Sequence, residues 1–295
     1  MPKIVPLKSQ LKAFENACFS GAEAKKILQN YNLCVEQTKK FVHSAGFSDV
    51  VIGLSGGIDS SLVAKMAVDA FGKEHVHGLI LPGPYSSQAS LNDAKKLAEN
   101  LGISCMTYFI NSAYDAFVNT LNPEGNQISD LTSQNIQARC RMIILMAASN
   151  ENNWLMLNTA NKSEVYTGYS TLYGDMAGGF APIGDVYKCD VYKMCIAKNL
   201  QERRMFENNE DVIPESILNR APSAELTENQ TDEASLDVDY ATLDAILCEH
   251  IDNKKNAQEI VFLGYSEVDV QKVLTLVKRS EHKRHYEPPC AKINE

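Results

Sequence analysis

The sequence predicts an α/β fold built on a doubly wound parallel sheet, with helical additions at both ends of the chain. Three observations support this prediction. Short apolar runs alternate with amphipathic segments between residues 50 and 157, helix-length stretches separate the runs, and Gly or Pro residues end several segments. Right-handed crossovers between parallel strands bring the carboxyl ends of the strands to one edge, where ligands are expected.

The predicted elements follow in a regular order. Apolar residues at helical spacing cover residues 8–43, ahead of the first strand. The predicted strands are 50–54, 75–81, 104–110 and 154–157. The predicted helices of the sheet region are 59–70, 89–100, 111–120 and 129–149, with a turn at 122–125. An ordered loop rich in Gly, Tyr and Asp is predicted at 168–186, followed by helices at 188–203, 240–250 and 267–277.

The segment 219–239 is polar and acidic and has no helical or strand period. It is interpreted either as a surface linker or as a lid that becomes ordered over a bound ligand. Its composition does not decide between these alternatives.

The composition limits the class of protein. Of the 295 residues, 44% are hydrophobic and 22% are charged, as is ordinary for a globular protein. The net charge of -9 argues against a general nucleic-acid binder, whose affinity depends on neutralising phosphates. No apolar run is long enough to cross a bilayer, and the N-terminus lacks the apolar core of a signal peptide. We therefore expect a cytoplasmic protein without membrane or nucleic-acid partners.

The cysteines are interpreted as reduced and mostly buried residues. No two of them are spaced as C-x-x-C, and no Cys/His quartet has the spacing of zinc ligands. The sequence therefore argues against a zinc site. The eight cysteines are Cys18, Cys34, Cys105, Cys140, Cys189, Cys195, Cys248 and Cys290.

The segment 53–60 joins a predicted strand to a predicted helix and indicates a phosphate-binding loop. A glycine turn at this place directs backbone N–H groups and the positive end of a helix at an anion. The Lys of a Walker loop is missing, and Asp59 would repel a phosphate unless a Mg²⁺ ion lay between them. A Mg²⁺-bound nucleoside triphosphate is therefore predicted, against the alternative of an ordinary strand–helix turn. The loop residues are Gly53, Leu54, Ser55, Gly56, Gly57, Ile58, Asp59 and Ser60.

This loop resembles the pyrophosphate loop of the N-type ATP pyrophosphatases, which split ATP between its α- and β-phosphates. Four further motifs narrow the resemblance to the NAD synthetases, and the resemblance covers residues 45–290. The motifs are QNIQARCRMIILMAASN (134–150), LNTANKSEVYTGYSTLYGDMAGGFAPIGDVYKCDVY (157–192), RAPSAELTENQTDE (220–233) and EHKRHYEPP (281–289). The resemblance implies a Rossmann-like, adenine nucleotide alpha-hydrolase-like fold.

The resemblance also implies a domain organisation. One synthetase domain is expected over residues 1–295, with a helical extension at 1–45, a nucleotide-binding core at 46–200, and a mobile loop and helical C-terminal part at 201–295. A homodimer is implied as well. Residues 1–43 and the long helix that begins near Ser129 are candidates for its apolar surface.

The implied reaction is ATP-dependent amidation of nicotinate adenine dinucleotide (deamido-NAD) to NAD. ATP first adenylates the nicotinate carboxylate and releases pyrophosphate, and ammonia then displaces AMP. Two alternatives stay open. One is another ATP pyrophosphatase, such as a GMP synthetase-like subunit or a tRNA-modifying enzyme, and the other is a non-enzymatic protein that binds an adenine nucleotide.

The resemblance assigns roles to residues that match the motifs. Asp59 and Glu164 match the two carboxylates that bind Mg²⁺, and Lys188 matches a lysine that contacts an ATP phosphate. Thr159 and Ser223 match further contacts to ATP. Without the resemblance, Glu164 and Lys188 would be interpreted as solvated helix residues.

A second set of residues matches positions that contact deamido-NAD. Asp175 would lie beside the nicotinate, where it takes a proton from ammonium or orients the carboxamide. Without the resemblance, Arg139 would be interpreted as a solvent-facing helix residue, and 278–285 as a solvated basic tail. The complete set is Asn135, Arg139, Asp175, His282 and Lys283.

The sequence departs from the family pattern at two positions. Leu172 stands where many ammonia-using members have a substrate-binding Lys, and Pro84 stands where glutamine-dependent members often have Arg. The segments 84–103 and 170–180 resemble the synthetase domain of the glutamine-dependent enzymes. Because 295 residues leave no room for their amidase domain, free ammonia is the expected nitrogen source. A separate amidase chain is the alternative.

Overall fold

A parallel sheet of four strands forms the centre of the fold in the part of the chain that the structure describes. This computed structural model describes residues 5–17, 21–122, 124–125, 128–206 and 211–293. The strands are β1 Val50–Gly53, β2 Val76–Ile80, β3 Ser104–Thr107 and β4 Leu155–Met156. Their order in the sheet is β3-β2-β1-β4, and every pairing is parallel.

The winding of the chain reverses between β1 and β4. From β1 the chain proceeds outward to β2 and β3, and it then returns to pair β4 with the other side of β1. Val51 of β1 is in register with His77 on one side and with Met156 on the other. The predicted doubly wound parallel sheet is confirmed, and the reversal leaves a crevice at the carboxyl ends of β1 and β4.

Helices cover both faces of the sheet and both ends of the chain. A 3₁₀ turn at Lys73–His75 precedes β2, and a π-helix at Cys248–Asp252 continues α11. The α-helices of the described residues are α1 Leu7–Ala17, α2 Ala22–Ser44, α3 Ile58–Phe71, α4 Gln88–Leu101, α5 Asn111–Leu121, α6 Asp130–Asn152, α7 Lys162–Thr167, α8 Lys188–Phe206, α9 Glu215–Asn219, α10 Asp232–Leu236, α11 Tyr240–Leu247, α12 Ala257–Phe262, α13 Glu267–Arg279 and α14 Glu281–Arg284.

The long predicted elements are present, and the differences concern ends and short helices. The predicted strand 104–110 ends at Thr107, because after the bond from Tyr108 N to Ile80 O the chain turns into α5. Helices α7, α9, α10, α12 and α14 were not predicted, since a helix of fewer than two turns shows no apolar period. In the predicted turn at 122–125, Gly125 N donates to Asn122 O, and Pro123 lies outside the described residues.

The N-terminal helices belong to the main apolar core. Tyr31, Cys34 and Val42 of α2 are buried together with Leu62 and Met66 of α3. Tyr31 also donates from its hydroxyl to the carboxylate of Asp69 at 2.7 Å, which ties α2 to α3. The apolar face of α2 is therefore used within the chain, and the expectation that residues 1–43 supply a dimer surface stays a prediction.

A second apolar cluster holds the C-terminal helices against α7 and α8. It contains Tyr240 and Leu243 of α11, Ile260 of α12, and Val270 and Val273 of α13, all buried. The predicted C-terminal helical part is thus joined to the segment that follows β4. This junction matters for the site, because α7 and α8 carry Glu164 and Lys188.

The described cysteines are unpaired thiols. Cys34, Cys140, Cys189 and Cys195 are buried, whereas Cys105 is exposed. Cys18 lies outside the described residues. None of the described helices has the length and apolar content that crossing a membrane requires.

Candidate active site

A cavity of about 300 Å³ opens at the carboxyl ends of β1 and β4. It lies at the reversal of strand order, where ligands bind in sheets of this type. The predicted residues that line it are Gly53, Leu54, Ser55, Gly56, Gly57, Ile58, Asp59, Ser60, Thr159, Glu164, Asp175, Lys188 and Ser223. The fold therefore brings the predicted ATP and Mg²⁺ residues together with Asp175.

The glycine loop between β1 and α3 is held in a fixed shape. Gly56 has φ +77°, a left-handed conformation, and a Cβ at this position would collide with the backbone carbonyl of Ser90. Ser55 Oγ accepts from Gly57 N at 3.1 Å, and Ser60 Oγ donates to Gly57 O at 3.1 Å. Gly57 caps α3 without a side-chain bond, so N–H groups of the first turn are left for an anion.

Lys188 joins two carboxylates at the floor of the cavity. Its Nζ lies 2.6 Å from Asp59 Oδ2 and 3.2 Å from Glu164 Oε1. The side chain of Lys188 is only 2% exposed, so its charge depends on these partners. Neither Glu164 nor Lys188 is a solvated helix residue.

The charges of this group depend on one another. Burial alone lowers the pKa of Lys188, but the Asp59 and Glu164 carboxylates outweigh burial and raise it well above its ordinary value. Burial raises the pKa of Glu164, and the neighbouring Lys188 ammonium opposes this rise. The two carboxylates therefore favour the charged form of Lys188 at this site.

Asn161 orients both carboxylates, although the sequence interpretation did not include it. Its Nδ2 donates to Asp59 Oδ1 at 2.9 Å. Asn161 is also the N-cap of α7, where its side chain accepts from Glu164 N and its backbone N–H bonds the Glu164 carboxylate. The Asn-x-x-Glu spacing is the sequence signal that could have identified this pair.

Asp232 is another acidic residue of the cavity that the sequence interpretation missed. It is 4% exposed, and Tyr240 OH donates to its Oδ2 at 3.1 Å. Its Oδ1 is buried and has no hydrogen-bond partner. An oxygen of this kind in a cavity wall is suited to a donor on a ligand or on an ordered water.

The donor set of the cavity fits a Mg²⁺ ion that is held partly by substrate. Asp59 and Glu164 offer two carboxylates on facing elements, and Mg²⁺ commonly takes one or two carboxylates together with phosphate oxygens and waters. Among the described residues, no cluster of three or more His, Cys, Asp or Glu side chains has metal-binding geometry. The site therefore fits Mg²⁺ together with a triphosphate, rather than a metal enclosed by protein ligands alone.

The loop at 168–175 gathers most of the residues that were matched to deamido-NAD. Arg139 Nε donates to Leu172 O at 3.2 Å, and Asn135 Oδ1 accepts from Thr171 Oγ1 at 2.8 Å. Lys283 Nζ donates to Ser170 O at 2.5 Å. Leu172, where the sequence departs from the family pattern, therefore contributes through its backbone, because its carbonyl oxygen accepts from Arg139.

His282 is the one member of this set that the structure leaves apart. It is exposed, and its Nδ1 lies 3.1 Å from Arg279 O within its own helical segment. The predicted basic tail therefore divides: Lys283 reaches the loop at 168–175, while His282 faces outward. The side chain of Arg139 is exposed, in agreement with the alternative interpretation of Arg139 as a solvent-facing helix residue.

Asp175 links this loop to the cavity. Its Oδ1 accepts from Thr171 N at 2.7 Å, and the residue lines the cavity. The surrounding protein replaces bulk solvent and raises the pKa of Asp175 to about 6, while the Thr171 N–H and the charge of Lys283 oppose the rise. Asp175 is thus a carboxylate at neutral pH with an increased affinity for a proton.

The segment 219–239 lies against the cavity. Ser87 N, Ser87 Oγ and Ser90 Oγ donate to the Glu225 carboxylate at 3.0, 2.8 and 2.7 Å. Arg220 forms an ion pair with Asp93 of α4. Ser223 lines the cavity while its Oγ donates to Gln230 O at 2.6 Å, so the segment also has internal order. This arrangement places the segment at the wall of the cavity, and its action as a lid stays a prediction.

The fold and the site together define a doubly wound α/β protein with a phosphate-type glycine loop facing a lysine-bridged pair of carboxylates. The family model that matches residues 30–287 is that of NAD synthase. The chain therefore belongs to the NAD synthase family, which confirms the resemblance inferred from the motifs.

Individual relatives support this assignment. The chain is 44% identical over 256 residues to a glutamine-dependent NAD(+) synthetase of Aquifex aeolicus. The matched residues make up 86% of this chain and 44% of the relative. A glutamine-dependent NAD+ synthetase of Acinetobacter baumannii, solved with ADP, shares 38% identity with a TM-score of 0.62 over 88% of this chain and 46% of that one.

A third relative is named for a different product. An NMN synthetase structure from Francisella tularensis shares 29% identity with a TM-score of 0.72, over 88% of this chain and 95% of that one. By contrast, the chain spans less than half the length of the Aquifex synthetase.

Proposed function

We propose that this chain amidates deamido-NAD to NAD, with ATP as the activating substrate and ammonia as the nitrogen source. The observation that carries the proposal is the meeting of Asp59, Glu164 and Lys188 beside the glycine loop. This group suits a triphosphate that loses pyrophosphate, and the neighbouring loop at 168–175 offers Asp175 to a second substrate. The class is a carbon–nitrogen ligase that forms AMP.

ATP binds with its pyrophosphate on the loop at 53–60. The Gly56 and Gly57 backbone and the start of α3 receive the β- and γ-phosphates, while Asp59 and Glu164 hold Mg²⁺. The metal supplies charge neutralisation for the leaving pyrophosphate. Lys188 stabilises charge at the α-phosphate, and Thr159 and Ser223 complete the contacts to ATP.

The first step joins the two substrates. An oxygen of the nicotinate carboxylate attacks the α-phosphorus, and the bond to the bridging oxygen of pyrophosphate breaks. Lys188 meets the negative charge that develops at the α-phosphate. Asn135, Arg139 and Lys283, which contact the loop at 168–175, hold the dinucleotide so that its carboxylate enters the cavity.

The second step forms the amide. Ammonia attacks the carbonyl carbon of the adenylate, and AMP leaves with the electron pair of the C–O bond. Asp175 accepts a proton from the attacking nitrogen, or from the ammonium that precedes it, because its pKa of about 6 leaves it ionised at neutral pH. No protein nucleophile is needed.

The nitrogen source is free ammonia in this proposal. The Aquifex and Acinetobacter relatives are named as glutamine-dependent, and this chain spans less than half of each. A separate amidase chain that delivers ammonia is the alternative. Purified chain assayed with ammonium and, separately, with glutamine distinguishes the two.

The chain is proposed to work as one synthetase unit in the cytoplasm and as a homodimer. Helices α5 and α6 and the segment before α5 expose a set of large apolar side chains, which supports an interface there. These are Phe109, Phe117, Leu121, Leu131 and Ile143. Replacing Leu131 with Asp should yield monomers in sedimentation velocity, whereas Phe262→Asp on α12 serves as an exposed apolar control.

The decisive experiment supplies Mg²⁺·ATP, deamido-NAD and ammonium to the purified chain. NAD, AMP and pyrophosphate in equal amounts support the proposal, whereas ADP as product or an absence of NAD contradicts it. Nicotinate mononucleotide is tested in parallel, because the Francisella relative is named an NMN synthetase. A higher kcat/KM for nicotinate mononucleotide than for deamido-NAD would show that the mononucleotide is the preferred substrate of the same reaction.

A further inference from the structure

Asp244 of α11 joins the first residues of two other helices. Its Oδ1 accepts from Ser163 Oγ of α7 at 2.5 Å, and its Oδ2 accepts from Cys189 N of α8 at 2.8 Å. Ser163 Oγ in turn accepts from Lys188 N at 3.0 Å. Asp244 is 7% exposed and Ser163 is fully buried, so water does not substitute for these bonds.

The bonds satisfy groups that a helix start leaves unpaired. The first N–H groups of a helix have no partner within the helix, and here Lys188 N and Cys189 N find theirs in Ser163 and Asp244. A carboxylate at this end of α8 also interacts favourably with the helix dipole. We call this set of bonds, from Ser163 Oγ and Cys189 N to Asp244 and from Lys188 N to Ser163 Oγ, the clamp. Because it satisfies N–H groups that the helix start leaves unpaired, it is a strong contact and not an incidental one.

The clamped residues adjoin the ones that carry the proposed chemistry. Ser163 directly precedes Glu164, and Lys188 is itself held through its backbone N–H. The side chains of Glu164 and Lys188 meet at 3.2 Å, so a displacement of α7 relative to α8 would change that distance.

The π-helix that continues α11 adds a second tie on the same side. Asp252 accepts from Lys162 Nζ at 2.7 Å and from Tyr187 OH at 2.9 Å. Lys162 precedes Ser163, and Tyr187 precedes Lys188. One continuous segment of the C-terminal part thus holds both helix starts, at a π-helix of the kind often found near functional sites.

We propose that Asp244, acting through Ser163, is a positioning residue that sets the spacing of Glu164 and Lys188 for the adenylation step. This inference rests on the proposed function for its effect on turnover. The clamp itself is a property of the fold. Asp244 touches no reacting atom, so its loss should lower turnover without weakening substrate binding.

The test compares Ser163→Ala and Asp244→Asn with the parent chain. Both variants should lower kcat by about 100-fold, the effect of misplacing a catalytic group by about 1 Å. The KM values for ATP and deamido-NAD should stay within about threefold of the parent. Hydrogen exchange, read by mass spectrometry on peptides containing Lys188 and Cys189, should become faster in both variants.

Thr167→Val is the matched control. Thr167 is also a buried hydroxyl residue of α7, but its Oγ1 donates to Ser163 O within the same helix. Its replacement should leave kcat and the exchange of Lys188 and Cys189 unchanged. If Asp244→Asn does not fold, Ser163→Ala alone decides the outcome.

Two results would overturn the proposal. Faster exchange with an unchanged kcat would show that the clamp is structural only, and unchanged exchange would show that Ser163 and Asp244 do not hold the start of α8. If the parent chain makes no NAD, the proposed function fails instead. The exchange comparison would then still support or overturn the clamp.

Discussion

Lys188 and Asp59, which are 129 positions apart in the sequence, form a buried ion pair with Nζ 2.6 Å from Oδ2. The pair joins the start of α8 to the first turn of α3, directly beside the glycine loop. A buried lysine between carboxylates is costly to assemble, and removing one partner leaves an uncompensated charge. A substitution at either residue of this ion pair is therefore a sensitive test of the proposed site.

Replacing Asp59 with Asn should lower turnover by about 1000-fold or more, because the change removes a proposed Mg²⁺ ligand and one partner of Lys188. The fold should persist, since Glu164 still accompanies Lys188. Turnover and the thermal melting curve are the measurements. Asp69→Asn is the control, because Asp69 is also on α3 and is paired with Lys65 away from the cavity. Unchanged turnover in Asp59→Asn would remove Asp59 from the metal site.

Replacing Gly56 with Ala should abolish ATP binding, because the new Cβ would collide with the Ser90 carbonyl at φ +77°. Gly46→Ala is the matched control: Gly46 has φ +86° and open space around its Cβ position. Both variants should lose stability of about 1–3 kcal/mol from backbone strain. Only Gly56→Ala should lose affinity for an ATP analogue in calorimetry, and equal affinities would contradict the proposed loop.

The rate should fall at acid pH as Asp175 becomes protonated. The pKa of its carboxyl is raised to about 6. The ionised form, which acts as the base, is therefore fully populated well above pH 6 and is lost as the pH falls through 6. With free ammonia held constant, kcat/KM should drop about tenfold per pH unit below that value. Asp175→Asn should lower the rate and remove this acid limb.

The control for this limb is Glu287→Gln. Burial raises the pKa of Glu287 to about 7, and its charge acts on the same cluster as Asp175 and Lys283. If Asp175 is the base, the limb should remain near pH 6 in Glu287→Gln. A limb that survives in Asp175→Asn would assign the titration to another group.

The segment 219–239 should be protected from proteases by Mg²⁺·ATP analogue together with deamido-NAD. Replacing Glu225 with Ala removes the acceptor of three bonds from Ser87 and Ser90, so cleavage without ligand should become faster. Glu228→Ala, an exposed acid of the same segment, should leave the rate unchanged. Equal cleavage with and without ligands would favour the plain linker.

The sequence was sufficient where the signal is local. Apolar periods placed the long helices and strands to within a few residues, and the glycine loop was recognised because its residues are consecutive. Asn161 could also have been found, since the Asn-x-x-Glu spacing of a capping box lies within one helical turn. Short helices such as α7, α10 and α14 were missed because a helix of fewer than two turns has too few residues to show a period.

The sequence by itself therefore determined the sheet, its phosphate loop and, through matching motifs, the family. Only the tertiary structure decided which side chains meet: that Lys188 lies between Asp59 and Glu164, that Asp232 faces the cavity, and that His282 stays apart from Lys283. Periodicity reports the face on which a residue lies, but contact between distant segments depends on how helices pack on the sheet. Packing is set by the whole core and not by any local pattern of residues.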